Sequence, residues 1–229
     1  MADTYTETRA RLETYFDKTA SKTWERLTSD APVSRIRQTV RAGRDAMRAE
    51  LMGLLPTDLA GARVLDAGCG AGQLAVDLAR RGAEVVAVDI SPSLLDVAAR
   101  RAPEGLSIDW RAGDMLGDHG RFDFVVAMDS LIHYRPGDIA AALMRLGAAG
   151  PRQMAFTLAP RTPLLAAMHL AGKAFPRSDR SPAIVPISAP RLRQEMARKS
   201  GAGAWQLRQA RRVATGFYIS QAWEMRACT

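Results

Sequence analysis

Residues Val64 to Gly72 read VLDAGCGAG, and Val85 to Asp89 read VVAVD. Each run carries an apolar strand into an acid, Asp66 in the first and Asp89 in the second. After Asp66, the glycines Gly68, Gly70 and Gly72 remove side chains at alternate positions. The chain can then turn sharply and let a ligand lie against bare backbone. Cys69 sits inside that turn, and Ile90 follows the second acid. Asp89 stands seventeen positions after Gly72, where an acid at a strand end accepts hydrogen bonds from ribose hydroxyls. The chemistry is that of a nucleoside-binding crevice. The dinucleotide fingerprint places its third glycine one residue later, where this chain has Gln73, and it has no acid at the position of Asp66. A nicotinamide cofactor is therefore disfavoured.

More polar groups stand where later strands end. Gly113-Asp114-Met115 follows one apolar run. Met128-Asp129 closes another, and Ser130-Leu131-Ile132-His133-Tyr134 follows it. Read alone, Asp114 also suits a plain turn, Asp129 a helix cap, and His133 a histidine satisfied at a strand-to-helix turn. Near the N-terminus Tyr15 adjoins Phe16, which as a pair also suits an aromatic anchor on an amphipathic helix.

These residues need a scaffold that brings strand ends together. From Ala62 the sequence alternates between strand and helix patterns. Strands are expected at Val64-Leu65, Glu84–Asp89, Ser107–Trp110, Phe122–Met128 and Gln153–Leu158. Helices are expected at Gly72–Arg81, from the Ser91-Pro92 cap to Arg101, and at Gly137–Leu146. This rhythm predicts an α/β fold with a doubly wound, mostly parallel sheet and its site at the carboxyl ends of the strands. A long helix is expected after the Asp30-Ala31-Pro32 start signal. Val33, Ile36, Val40, Met47, Leu51 and Leu55 would form its buried face, and Pro56 would end it. Its opposite face, with Arg37, Arg41, Arg44 and Arg48, reads as solvated. After Leu158 prolines crowd a segment holding one expected helix, Leu164–Ala174. A helix at Arg191–Lys199 and an antiparallel pair, Trp205–Val213 with Gly216–Met225, close the chain.

Composition narrows the class. The chain has 229 residues, 47% apolar and 24% charged, which fits a globular enzyme with a full core. Its two cysteines make no disulfide framework, which points to a reducing cytoplasmic compartment. Met1 to Ala20 is polar and charged, unlike a secretory signal, and no apolar run of ~20 residues spans a membrane. The net charge of +8 comes almost wholly from arginine. That suits an acidic partner, or simple composition bias. The arginines are scattered and aromatics are 6% of the chain, so a nucleic-acid partner is not expected.

The acid-ended glycine turn resembles the first motif of class I methyltransferases. That resemblance implies S-adenosylmethionine as methyl donor. It gives Asp66 the methionine amino group, Asp114 the neighbourhood of the adenine amino group, and Met128-Asp129 the methionine end of the cofactor. The flanking segments resemble a narrower family. These are Tyr15-Phe16-Asp17, Trp24, Arg41-Ala42-Gly43-Arg44, the LIHY run ending at Tyr134, the FTLAPRTP run from Phe156 to Pro163, and Thr215 to Ser220. Together they are similar to the magnesium-protoporphyrin IX O-methyltransferases of bacteriochlorophyll and chlorophyll synthesis, nearly end to end. The resemblance implies a seven-stranded sheet with an N-terminal helical arm over residues 1–56. A methyltransferase domain would follow over 57–229, with a substrate-covering insertion at 160–190. It implies methyl transfer to one propionate of magnesium protoporphyrin, with magnesium carried by the substrate and no protein-bound metal.

His133 would either aim the carboxylate by a hydrogen bond or ligate the magnesium axially. The Tyr15 hydroxyl would donate to the carboxylate. Met47, Met168, Phe175 and Trp24 are candidate apolar walls, with core packing as the alternative for each. The magnesium chelatase subunit that carries the porphyrin is the implied partner, with peripheral contact to the photosynthetic membrane left open. Rival acceptors, another small molecule or RNA, would share every cofactor residue.

Overall fold

A computed structural model describes residues 4–17, 35–161 and 183–228. Trp24, Met168, Phe175, the Asp30-Ala31-Pro32 start signal and the helix expected at Leu164–Ala174 lie outside them. The described chain begins with α1 (Thr4–Tyr15) and α2 (Arg35–Leu54). The alternating core follows as β1 (Arg63–Ala67), α3 (Gln73–Arg80), β2 (Glu84–Asp89), α4 (Pro92–Arg101), β3 (Ile108–Ala112) and β4 (Phe124–Ala127). A short 3-10 turn at Leu131–His133, then α5 (Pro136–Gly147) and β5 (Gln153–Leu158), complete it. Helix α6 (Ala189–Ala197) leads to β6 (Trp205–Thr215) and β7 (Tyr218–Ala227).

The strands form one seven-stranded sheet in the order β3-β2-β1-β4-β5-β7-β6. The first five are parallel, and β7 runs antiparallel to both β5 and β6. The order reverses between β1 and β4, because the chain leaves β1 toward β2 and β3 and returns to the other side of β1. That reversal opens a crevice beyond the carboxyl ends of β1 and β4, where ligands bind in such sheets.

Period-2 alternation splits the core into two layers. Leu65, Val86, Val88 and Val125 face α5 and α6, while Val64, Val85, Phe124 and Val126 face α2 and α3. Apolar side chains thus bury both faces of the central strands, as a parallel sheet covered by helices requires. Helix α4 starts as the sequence predicts, with Pro92 in its first turn and the Ser91 hydroxyl accepting from the Leu94 amide. Strand β4 is shorter than expected at its start. There the Asp123 carboxylate accepts from the Arg63 amide at 2.9 Å while the Asp123 amide donates to the Arg63 carbonyl at 2.8 Å, so a side chain reinforces the strand entry.

Helix α2 belongs to the same core as the strands, although the sequence groups it with an N-terminal arm. Its Met47 and Leu51 are fully buried against Val64, Leu74 and Phe124. Met47 is therefore a core residue and not a wall of the site. At Gly43 a Cβ would overlap Thr215 Oγ1, so only glycine lets α2 lie this close to the β6–β7 turn. That approach brings the next residue, Arg44, to the site.

Candidate active site

A cavity of about 430 Å³ opens at the carboxyl ends of β1, β2 and β4, within the usual range for small-molecule sites. Its first wall is the glycine turn and the acids beside it: Asp66, Gly68, Cys69, Gly70, Asp89 and Ile90. Gly70 has φ +56 and nothing within 4 Å of where a Cβ would stand, so its backbone lies open to the cavity. Gly68 and Gly72 serve packing instead. A Cβ on Gly68 would overlap Ser130, and one on Gly72 would overlap the Trp110 ring. Gly72 does not line the cavity; it caps α3 in a left-handed conformation.

Asp89 holds the turn in shape. Its Oδ2 accepts from the Gly70 amide at 2.8 Å and its Oδ1 from the Ser91 amide at 2.9 Å. Burial nonetheless raises its pKa, against those amides. Asp66 is less well served. It is 1% exposed, and its Oδ2 is buried with no hydrogen-bond partner. Burial, then the Asp89 charge, pushes its pKa up to about 7. A buried carboxylate oxygen without a partner is costly, and a ligand ammonium would satisfy it. The turn, the open Gly70 backbone and this acid fit the donor set that S-adenosylmethionine requires. Burial raises the Cys69 thiol well above its ordinary pKa, so it is a neutral wall atom and no nucleophile.

The opposite wall carries Tyr15, Met115, Met128, Asp129 and His133. Asp129 takes φ 56, the left-handed region that aspartate tolerates better than most residues. There it becomes a hub. Arg44 Nη1 donates to its Oδ2 at 2.8 Å, and Thr157 Oγ1 accepts from its amide at 2.7 Å. The Tyr218 hydroxyl lies 3.1 Å from both carboxylate oxygens. The sequence reading placed Arg44 and Arg48 on a solvated face, and the structure corrects this. Arg44 is largely buried in its pair with Asp129, and Arg48 Nε donates to Asp77 at 2.8 Å. Both line the cavity, because the arginine face of α2 turns toward its mouth. Arg44, Tyr218 and Ser220 stand in segments quoted for the family resemblance, but nothing in their spacing assigned them a role.

Asp114 is the second departure. It does not line the cavity, although its neighbours Gly113 and Met115 do. Its carboxylate is taken by α1: the Tyr5 hydroxyl donates at 2.6 Å and Arg9 Nη1 at 2.7 Å. Tyr5 also stacks on Tyr134 with ring centroids 4.8 Å apart. Thr4 Oγ1 donates to Asp138 at 2.7 Å, so the first turn of α1 is tied to the body at both acids. This places Leu12, Tyr15 and Phe16 over the cavity. Phe16 meets Tyr15 edge-on at 5.3 Å and His133 at 6.1 Å. Tyr15 and His133, far apart in sequence, thus share one wall.

His133 ends the 3-10 turn after β4, and its Nδ1 lies 3.3 Å from the Ala183 carbonyl oxygen. The returning segment is held there by the Val185 amide, which donates to the Ile132 carbonyl at 2.8 Å. Burial lowers the His133 pKa, which favours a neutral ring. No group of residues with metal-binding potential occurs among the described residues, and no described helix is long and apolar enough to cross a membrane.

Sheet order, an acid-ended glycine turn and a switch-point cavity together define a class I methyltransferase fold. Residues 64–149 match the methyltransferase domain model, and residues 127–227 match the model for the magnesium-protoporphyrin IX methyltransferase C-terminus. The magnesium-protoporphyrin O-methyltransferase of Rhodobacter capsulatus is 50% identical over 99% of this chain and 100% of its own. Its namesake in a Synechocystis strain is 32% identical over 71% of this chain and 73% of its own. The crystal structure of magnesium protoporphyrin IX methyltransferase from Synechocystis PCC 6803 with bound SAH superposes with a TM-score of 0.81. It is 26% identical and covers 96% of this chain and 99% of that one. The chain belongs to the magnesium-protoporphyrin O-methyltransferase family.

Proposed function

We propose that this chain transfers a methyl group from S-adenosylmethionine to a propionate carboxylate of magnesium protoporphyrin IX. The products are the monomethyl ester and S-adenosylhomocysteine, and the step belongs to bacteriochlorophyll biosynthesis. One observation carries the reading: the 50% identity to the Rhodobacter capsulatus enzyme spans the whole of both chains. The match therefore extends over the segments that build the acceptor-facing wall as well as over the glycine turn.

The chemistry suits the site. A propionate has a pKa of about 4–5, by analogy with glutamate, so the nucleophile is already an anion at neutral pH. The chain need not remove a proton; it must orient the carboxylate and exclude water. The bound donor supplies a methyl group on a sulfonium. Asp66 receives the donor's ammonium, Asp89 its ribose hydroxyls, and the Gly68–Gly70 backbone its main body. Ile90 and Met115 offer apolar walls for the base, and Met128 and Asp129 bound the methionine end. Asp114 reaches the base only by exchanging Tyr5 or Arg9. Tyr15 donates to the carboxylate. Residues 4–17 act as a cover, while most of the substrate-covering insertion expected at 160–190 lies outside the described residues.

Delivery forms part of the same proposal. The porphyrin-carrying subunit of magnesium chelatase presents the macrocycle in the cytoplasm, with peripheral contact to the photosynthetic membrane. Phe217 and Ile184 support this, since both line the cavity yet are 54% and 40% exposed, which makes an apolar rim. Coelution of the two proteins, lost when Phe217 becomes serine, is the check on that part.

The decisive experiment incubates purified protein with S-adenosylmethionine and magnesium protoporphyrin, and reads the product by chromatography and mass. A monomethyl ester is expected. Its absence, with donor and porphyrin both intact, overturns the reading.

A further inference from the structure

We propose that a second cavity, on the far side of Met115 from the active site, binds a small amphipathic anion: a carboxylate or phosphate head on an apolar body. The site is separate from the porphyrin reading above and goes beyond it.

This cavity has a volume of about 310 Å³, within the range of small-molecule sites. It lies between the loop that joins β3 to β4 and the end of α5, and Met115 is the one residue that lines both cavities. The loop is knotted around Asp114. The Leu116 amide donates to the Asp114 carboxylate at 3.0 Å and the Gly117 amide to its carbonyl at 2.9 Å. His119 Nε2 lies 2.8 Å from the same carbonyl oxygen. The Phe122 amide then donates to the Ala149 carbonyl at 3.2 Å, which fastens the loop to the helix end. Leu65, Met115, Phe122 and Leu146 are buried and form an apolar floor.

The rim is cationic. Arg121 stands on the loop side and Arg145 on the helix side, and both are exposed. Arg145 Nε reaches the Leu116 carbonyl at 3.4 Å. Arg121 packs over Gly150, where a Cβ would overlap its Nη2. Behind the loop Arg63 donates to the Arg121 carbonyl at 3.0 Å, with its guanidinium carbon 4.9 Å from the Phe122 ring centroid. None of these three arginines forms an ion pair among the described residues. Asp118, the one carboxylate lining the cavity, accepts from the Gly120 amide at 3.1 Å. The excess positive charge calls for an anion, and guanidinium forks match the oxygens of carboxylate and phosphate. The end of α5 does not oppose one. Its carbonyls at Arg145, Leu146 and Gly147 accept from the Ala148, Ala149 and Gly150 amides, which removes the open oxygens that make a helix C-terminus negative. The floor sets the second requirement: a bare ion would leave it wet, whereas a short alkyl body covers it.

The test titrates octyl phosphate, octanoate, inorganic phosphate and octylammonium into protein saturated with S-adenosylhomocysteine, and follows leucine methyl resonances. Octyl phosphate or octanoate should shift Leu116 and Leu146, and the tighter of the two names the head group. Octylammonium should not bind. Inorganic phosphate should bind at least about tenfold more weakly than octyl phosphate, since burying about two methylenes accounts for that. A double variant, Arg121→Gln with Arg145→Gln, should weaken the organic anions by at least about tenfold, the scale of one lost hydrogen bond to a charged group. Both side chains are exposed, so the variant should keep its unfolding temperature and its affinity for S-adenosylhomocysteine. Leu116 and Leu146 unmoved by both organic anions, or shifts confined to Leu94 in the active cavity, overturn the site. Equal affinity in wild type and double variant, or equal binding of octylammonium, does the same. Inorganic phosphate as tight as octyl phosphate overturns the amphipathic class.

Discussion

The two walls of the cavity are built in different ways. The donor wall comes from one stretch of chain, between Asp66 and Asp89, and its parts meet across two adjacent parallel strands. The facing wall gathers Tyr15, Arg44, Asp129, His133 and Tyr218 from segments that share no local pattern. The electrostatics differ as well. On the donor wall Asp66 keeps a buried oxygen without a partner and a raised pKa. On the facing wall Asp129 is answered by Arg44, Thr157 and Tyr218. One wall stores an unmet need that a cationic ligand can satisfy. The other is satisfied within the protein and holds its shape before any ligand arrives. A motif can therefore announce the first wall, while only packing assembles the second.

The largest test of that contrast is Gly68→Ala. It puts a Cβ into Ser130 at φ +82, and should cost about 3–4 kcal/mol from strain plus overpacking. Thermal unfolding reads the loss. Gly70→Ala meets no atom but holds φ +56, so it should block donor binding while costing only the backbone strain of about 1–2 kcal/mol. Next is Arg44→Ala, which strands Asp129 beside Tyr218. Removing one partner of such a largely buried pair costs about 3 kcal/mol. Titration should find porphyrin affinity reduced more than donor affinity, because Asp129 also bounds the methionine end of the donor site. Equal loss of both would erase the separation between the walls.

Asp66→Asn should behave in the opposite sense. The protein without donor becomes more stable, because the desolvated charge is gone, while donor affinity falls by about 2–3 kcal/mol, some 30- to 150-fold. Calorimetry on the same sample reads both. A pH series sharpens this. Folding raises the Asp66 pKa from 3.8 to about 7, so the folded protein holds a proton that the unfolded chain releases. Its contribution to stability therefore falls as pH rises from about 4 to about 7 and is flat beyond. Donor binding needs the ionised form, so its dissociation constant should climb as pH drops below about 7. The asparagine variant should flatten both curves. The smallest effect is expected for Tyr5→Phe. Losing the 2.6 Å bond to Asp114 should cost about 1 kcal/mol, seen as faster proteolysis within α1.

Legibility followed the same division. Strands β2 and β5 begin and end where their apolar runs do, and α4 begins at its Ser91-Pro92 signal. The donor wall was readable because turn chemistry and strand-end acids are local. Asp114 was placed in the right loop, but its engagement by Tyr5 and Arg9 depends on where α1 docks. Arginines at helical spacing on α2 read as a solvated face, since the sequence cannot say that Gly43 lets that helix approach the β6–β7 turn. Tyr218 and Ser220 stood in a recognised segment with no visible purpose, because the acid they serve lies some ninety residues earlier in the chain.

By itself the sequence determined the sheet, the turn and the acids that await a cation. Each of these follows from periodicity or backbone freedom over a few residues. Tertiary structure alone decided that α2 joins the core, that Arg44 neutralises Asp129, and that the Ala183 carbonyl meets His133 Nδ1. Those contacts join residues far apart in the chain, and their free energy comes from burial and geometry that exist only once the chain has folded.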